Sequence, residues 1–342
     1  MIGETQKFAR VGSLATMRLV LFRSAWGLNL RADAARACAS VRAAGFGGIE
    51  ASLTDIGGSR AERLAFGKAA QAEGLELILS AYSSWVNYEG AYETKPLAAH
   101  ASTMLKELEA VAELNGSLPL PLRLVNAHSG SDAWSDAEAH EYFGALSQAS
   151  DAGLGSALPP VAHETHRGRY LCCPFATARL LRQLPSLRLT ADLSHWVLKA
   201  ERLLDTPEEA RLLGGCIAPA VDHLHARLGA PQLPQLADPR DPRHALAAAR
   251  FYSFWAECWT AREAAAVSGR AALATATVEY GPSEHGTTQH GARGDYAGYT
   301  PIDRAGAPVA GCGLDETLAS ACAELREHFE VWHRDVQRRM DL

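Results

Sequence analysis

The chain has 342 residues, 47% of them hydrophobic, and a formal net charge of −6 at pH 7. That length fits one large α/β domain or two ordinary ones, with enough apolar residues for a sizeable core. The acidic balance, with no block of lysine or arginine, argues against nucleic acid as a partner, and no apolar run is long enough to cross a bilayer.

Residues 1–16 are mixed in polarity and read as a loosely ordered extension, so the folded domain is expected to run over 17–342. The first strand is predicted at 17–25 (MRLVLFRSA), ending near Trp26, and an alanine-rich helix capped by Asp33 follows over 33–44. The second strand is 48–53 (GIEASL), carrying Glu50, and the second helix 59–73. The third strand is 75–82, with a helix near 96–115, and the fourth is 122–128 (LRLVNAH), ending in His128, with a helix near 136–152. The fifth strand is 160–166 and the next helix 174–183. The sixth is 187–195, followed by a helical stretch with Pro207 near its start. The seventh is 220–227, the helix after it is long (241–268), and the eighth strand is 273–279. Residues 314–340 read as one closing amphipathic helix.

Strands that alternate with helices and are apolar on both faces point to a parallel sheet with crossover helices. Eight such units predict a single α/β domain, a (β/α)₈ barrel with a C-terminal closing helix. A doubly wound open sheet would usually carry a glycine-rich phosphate loop after its first strand, and neither GxGxxG nor GxxxxGK[ST] is present there. The seven cysteines are odd in number, form no CxxC pair, and follow no evident secretory leader. Free thiols in a reducing cytoplasm are therefore expected.

Four successive apolar runs end in acids or imidazoles: His163-Glu164-Thr-His166, Asp192-Leu-Ser-His195, His223-Leu-His225-Ala-Arg227 and Val278-Glu279. In a barrel, groups at the carboxyl ends of consecutive strands share one arc of the mouth. Buried carboxylates need a positive partner, and a divalent cation held by Glu164, Asp192, His225 and Glu279 supplies one. Two or three carboxylates and one imidazole suit Mn²⁺, Mg²⁺, Co²⁺ or Zn²⁺. His223 and His225 are two apart and share a strand face, so the deeper His223 is expected behind the ligand His225. Any one of these carboxylates alone reads equally well as a salt-bridge partner or helix cap.

His195, Arg227, His128, Glu50, His166 and Trp26 are expected to face substrate around the same mouth. Trp85, Trp134 and Trp196 fit either a sugar-sized wall or core packing. Arg167 and Arg169 fit either a grip on a polar substrate or a solvated loop. Cys172 and Cys173 read as structural, and His285 and His290 as surface groups or part of a lid.

The segments Gly45-Phe-Gly-Gly-Ile-Glu50, His163-Glu164-Thr-His166-Arg-Gly-Arg169, Asp192-Leu-Ser-His195-Trp, His223-Leu-His225-Ala-Arg227 and Val278-Glu279-Tyr-Gly-Pro resemble those of the xylose isomerase-like barrel superfamily. Within it, they are most similar to the sugar phosphate isomerase/epimerase proteins. The resemblance covers about residues 17 to 290. It implies one divalent metal on Glu164, Asp192, His225 and Glu279. It also implies His195 as a substrate contact or further ligand, and proton exchange with substrate by Glu164 and Glu279. The implied activity is a metal-dependent isomerase or epimerase of a sugar, sugar phosphate or polyol, working through a metal-stabilised enediolate.

An inosose-type dehydratase shares the first proton transfer and stays open. An endonuclease IV-like hydrolase needs a multi-metal set with a histidine on the third strand, where this chain has Ser80, Tyr82 and Ser84. A barrel that binds metal without turnover is the third alternative. The partner expected is a small carbohydrate or polyol, with neither nucleic acid nor membrane, and self-association into a homo-oligomer is admitted.

Overall fold

A computed structural model describes residues 17–88, 92, 94–236, 238–267, 273–281 and 313–340. The extension expected at 1–16 and the segment with His285 and His290 lie outside the described residues.

Eight parallel strands close into a barrel in chain order. They are β1 (Arg18–Ser24), β2 (Gly48–Ser52), β3 (Glu76–Tyr82), β4 (Leu124–His128), β5 (Val161–Glu164), β6 (Leu189–Ala191), β7 (Val221–Ala226) and β8 (Leu273–Val278). β1 closes the ring on β8, in register from Arg18 opposite Leu273 to Arg23 opposite Val278. The helices are α1 (Ala34–Ala43), α2 (Leu53–Ile56), α3 (Arg60–Ala72), α4 (Leu97–Asn115), α5 (Asp136–Gly153), α6 (Pro174–Gln183), α7 (Leu193–Ala200), α8 (Pro207–Leu212), α9 (Ala245–Val267) and α10 (Leu314–Met340). The expected (β/α)₈ barrel and its closing helix are both present.

Helix starts follow local chemistry. The Asp33 side chain accepts the Arg36 N–H at α1. Ser59 with Glu62, and Thr206 with Glu209, form capping boxes at α3 and α8. Pro174 and Pro207 occupy first-turn positions that need no N–H donor.

Inward-facing positions recur every second residue, and they change character along the barrel axis. Near the amino ends of the strands Val20, Phe22, Ile78, Leu124 and Ala162 form a separate apolar cluster inside the ring. Gly48 is required there, because a Cβ would overlap the Phe22 ring and stand 2.6 Å from the Glu76 carbonyl oxygen. Toward the carboxyl ends the buried positions become polar: Glu50, Ser80, Asn126, His128, Glu164, His223, His225, Arg227 and Thr277. The main core lies outside the ring, where the helices cover the strands.

The sixth strand is shorter than expected. It ends at Ala191, and Asp192 caps α7 by accepting the Ser194 N–H at 2.8 Å. An Asp followed by Leu-Ser offers a helix start, so His195 sits in the first turn of α7 and not at a strand end. The helix after β7 likewise starts later than expected: a 3₁₀ turn over Pro242–His244 precedes Ala245.

Candidate metal centre at the carboxyl mouth of the barrel

Glu164 ends β5, Asp192 follows β6, His225 lies on β7 and Glu279 follows β8. Glu164, Asp192 and His225 place ligand atoms within 4.8 Å of one another. Glu279 Oε2 lies 2.9 Å from Nδ1 of His225, and Glu164 Oε1 lies 3.7 Å from the same nitrogen. The structure thus brings three of the four positions expected to share an ion to one point, with Glu279 against His225.

The site is buried and rich in carboxylates. Burial raises the Glu164 carboxyl to about 8. His225 draws it down, while the neighbouring charges of Glu279 and Asp192 push it further up. Burial also opposes the charge of Glu279, but Arg227 and His225 outweigh it and hold that carboxyl at about 2. Burial alone would strip the proton from His225, yet the carboxylates of Glu50, Glu164 and Glu279 hold the ring well above its ordinary value.

Arg227 is the positive partner of this cluster. Its Nη2 donates to Asp192 Oδ2 at 2.9 Å, its Nε donates to Ser194 Oγ, and its Nη1 lies 3.2 Å from Glu279 Oε1. These contacts fix two of the four candidate ligands. Nη2 also approaches His195 Nε2 at 2.7 Å, which makes that nitrogen the acceptor and leaves the hydrogen on Nδ1. Burial and the neighbouring His166 and Arg227 keep His195 neutral.

The other expected contacts divide. His128 Nε2 stands 3.1 Å from Glu164 Oε2, its Nδ1 meets the Tyr88 hydroxyl at 2.7 Å, and its ring stacks on Tyr82. His166 stacks on Tyr88 (ring centroids 4.2 Å apart) and lies tilted against His195 (3.8 Å). These three histidines line one side of the site. Glu50 does not reach the rim: it lies beneath His225, with both oxygens on Nε2 at 3.0 and 3.1 Å. Trp26 is half-buried just past β1, its carbonyl oxygen accepting from Arg23.

Trp196 is a core residue whose Nε1 donates to the Leu171 carbonyl. Trp134 packs on Tyr142 and His100. Arg169, read as a substrate grip or a solvated loop residue, is fully buried and donates to the Ser84 side chain and backbone and to the Trp85 carbonyl. It also lies over the Tyr88 ring. These bonds hold a segment in which Trp85, Asn87 and Tyr88 all have positive φ, a costly backbone for residues with a Cβ.

Sequence reasoning missed Asn126, Thr277 and Tyr88. Asn126 Nδ2 lies 2.8 Å from both Glu50 Oε1 and Glu164 Oε2 and bridges two strands' carboxylates. Strand parity could have found it, since Asn126 stands two before His128, and Thr277 stands two before Glu279. Tyr88 comes from a loop and carries no periodic signal.

The donor set fits a divalent cation. Nδ1 of His225 and Oε2 of Glu279 are buried, face each other, and make no hydrogen bond of acceptable geometry. Orphaned buried atoms of this kind are what a cation satisfies. Glu50, His223 and His225 also cluster within 4.8 Å, but there the polar atoms satisfy one another. His223 meets Thr275 and Thr277 at 2.8 and 2.9 Å, and the Thr277 hydroxyl donates to Glu50.

No family model matches the sequence, and a search of curated proteins gave no match. Solved structures do match. An L-ribulose 3-epimerase is 14% identical, covering 94% of this chain and 97% of that one, with a TM-score of 0.54. A D-psicose 3-epimerase, solved in the presence of D-fructose, is 15% identical over 91% of this chain and 98% of that one, with a TM-score of 0.52. A xylose isomerase-like TIM barrel protein from Mycobacterium smegmatis, in complex with magnesium, is 13% identical over 95% and 99%, with a TM-score of 0.54. The fold is that of the xylose isomerase-like TIM barrels.

Proposed function

We propose that this protein is a divalent-metal-dependent isomerase or epimerase of a sugar, sugar phosphate or polyol, acting by proton transfer beside a carbonyl. The observation that carries the reading is the convergence of Glu164, Asp192 and His225, with Glu279 against His225, at one barrel mouth. The epimerases of the same fold support it, and the magnesium-bound neighbour supports a metal.

In this reading Glu164, Asp192, His225 and Glu279 hold the ion, which is Mg²⁺, Mn²⁺, Co²⁺ or Zn²⁺. The ion, when bound, supplies a Lewis acid that polarises a carbonyl oxygen and a neighbouring hydroxyl. The protein supplies the proton chemistry. Glu279, held ionised by Arg227 and His225, accepts the carbon-bound proton; Glu164, three strands away, returns one from another side. Return to the opposite face of the same carbon gives epimerisation, and return to the next carbon gives isomerisation. His128, His166, His195 and Trp26 orient hydroxyl groups around the reacting carbons. The six free cysteines among the described residues support a reducing, cytoplasmic setting.

Deuterium exchange tests the activity. Metal-loaded protein in D₂O with a panel of ketoses, aldoses and inososes is expected to place deuterium at one carbon of at least one substrate. A panel free of label, with one ion bound per chain, sinks the proposal.

A further inference from the structure

The structure assigns Glu50 a positioning role: it keeps a hydrogen on Nε2 of His225, so that the proton an ion would displace is the one on Nδ1, toward Glu164 and Glu279, an inference that rests on the metal reading above. Both Glu50 oxygens lie on Nε2 of His225, at 3.0 and 3.1 Å. An ionised carboxylate only accepts hydrogen bonds, so Nε2 carries the hydrogen. When the ring gives up its second proton, the lone pair is left on Nδ1, which faces Glu279 Oε2 at 2.9 Å and Glu164 Oε1 at 3.7 Å. A ring with the opposite tautomer would turn its lone pair to Glu50 and a hydrogen to the ion.

Glu50 is itself fixed from several strands. Asn126 Nδ2 on β4 donates to it at 2.8 Å and the Thr277 hydroxyl on β8 donates to Oε2. Nε2 of His223 on β7 stands 3.4 Å away, and the Ser80 hydroxyl on β3 stands 3.5 Å away. A carboxylate held this way cannot swing aside, so the plane of His225 is set before any ion arrives. Asn126 is bonded to both Glu50 and Glu164 and so ties the buried carboxylate to the candidate ligand on β5. Carboxylate partners behind metal-bound imidazoles raise affinity in this manner.

Calorimetric titration of the metal-stripped protein with Mn²⁺ tests the role. Glu50→Gln keeps the shape but removes the negative charge behind the ring and leaves one acceptor oxygen where there were two. It is expected to bind Mn²⁺ about 10- to 100-fold more weakly, with an unchanged circular dichroism spectrum. Thr277→Val removes one of the groups that hold Glu50 and is expected to lose less affinity in the same direction. A purely structural Glu50 would lower the melting temperature and leave Mn²⁺ affinity alone. Wild-type affinity in Glu50→Gln, or in Thr277→Val should Glu50→Gln not fold, overturns the assignment while the metal reading stands. Wild-type protein that takes up no Mn²⁺ overturns both.

Discussion

Glu164 and Glu279 carry the same carboxyl group under opposite electrostatics. Glu279 faces a guanidinium and an imidazole and stays ionised, whereas burial, with the carboxylates of Glu279 and Asp192 adding to it, raises Glu164 to about 8 against the pull of His225. Glu279→Gln removes the expected proton acceptor with little change in shape. Turnover should fall by about 10²- to 10⁴-fold, with the thermal transition kept, and near-wild-type kcat in that variant would exclude the role. The pH dependence of stability follows from the same groups in the metal-free protein. Folded Glu164 keeps a proton that the unfolded chain releases near 4.5, so its contribution falls as pH rises from there to about 8. His225, raised above 6.5, acts in the same sense above that pH. The buried neutral histidines, among them His100 and His163 at about 4 with His128, His166 and His195 also lowered, act oppositely. Their contribution grows as pH climbs to 6.5 and is then complete. Metal-free protein should therefore be most stable near pH 6.5 and lose stability toward pH 8; a melting temperature that rises steadily over 6.5 to 8 would contradict this assignment of charges.

Elements place these groups through short-range chemistry that also serves the fold. β6 has only three residues because Asp192 ends it as the cap of α7, with Oδ1 on the Ser194 N–H and Oδ2 on Arg227. One carboxylate thus caps a helix and pairs with Arg227. On the outer side of β7, Asp222 clamps Arg188, which precedes β6, and Arg262 of α9, with bonds of 2.8 to 3.0 Å. Asp222→Asn leaves two partly buried guanidinium groups without their carboxylate and should cost about 2 kcal/mol. Urea unfolding would show this as a lower midpoint at unchanged slope. In β2, Gly48 leaves room for Phe22, and Gly48→Ala should destabilise by about 1–3 kcal/mol through overpacking, visible in the same assay. Wild-type stability in that variant would mean that the apolar plug can shift.

Over the whole molecule the barrel separates two tasks along one axis. The amino end of its interior is an apolar plug, and the carboxyl end is a polar cup in which the candidate ligands meet. The apolar plug gives the floor of the cup a low-dielectric surface, which strengthens charge interactions above it. A cation held by the four candidate side chains would cross-brace the native state alone. At a hundred times its dissociation constant, Mn²⁺ should add about 2.7 kcal/mol. Differential scanning calorimetry should show a melting temperature that climbs with Mn²⁺ concentration, and a concentration-independent value would argue against binding to the native state. No described helix is long and apolar enough to cross a membrane.

The fold was legible in the sequence because each strand and helix leaves a local mark: apolar runs buried on both faces, Asp33 and Ser59 as caps, proline at helix starts. The carboxyl-end acids were legible for a related reason, since parallel strands all deliver their ends to one mouth. Depth and partnership were not. Glu50 and Arg227 were read as rim groups, yet one lies under His225 and the other between Asp192 and Glu279, while Asn126 and Tyr88 went unmarked. Those outcomes depend on strand register and stagger around the closed ring, a global property that sets which residues from different strands share a layer; no stretch of local sequence encodes it.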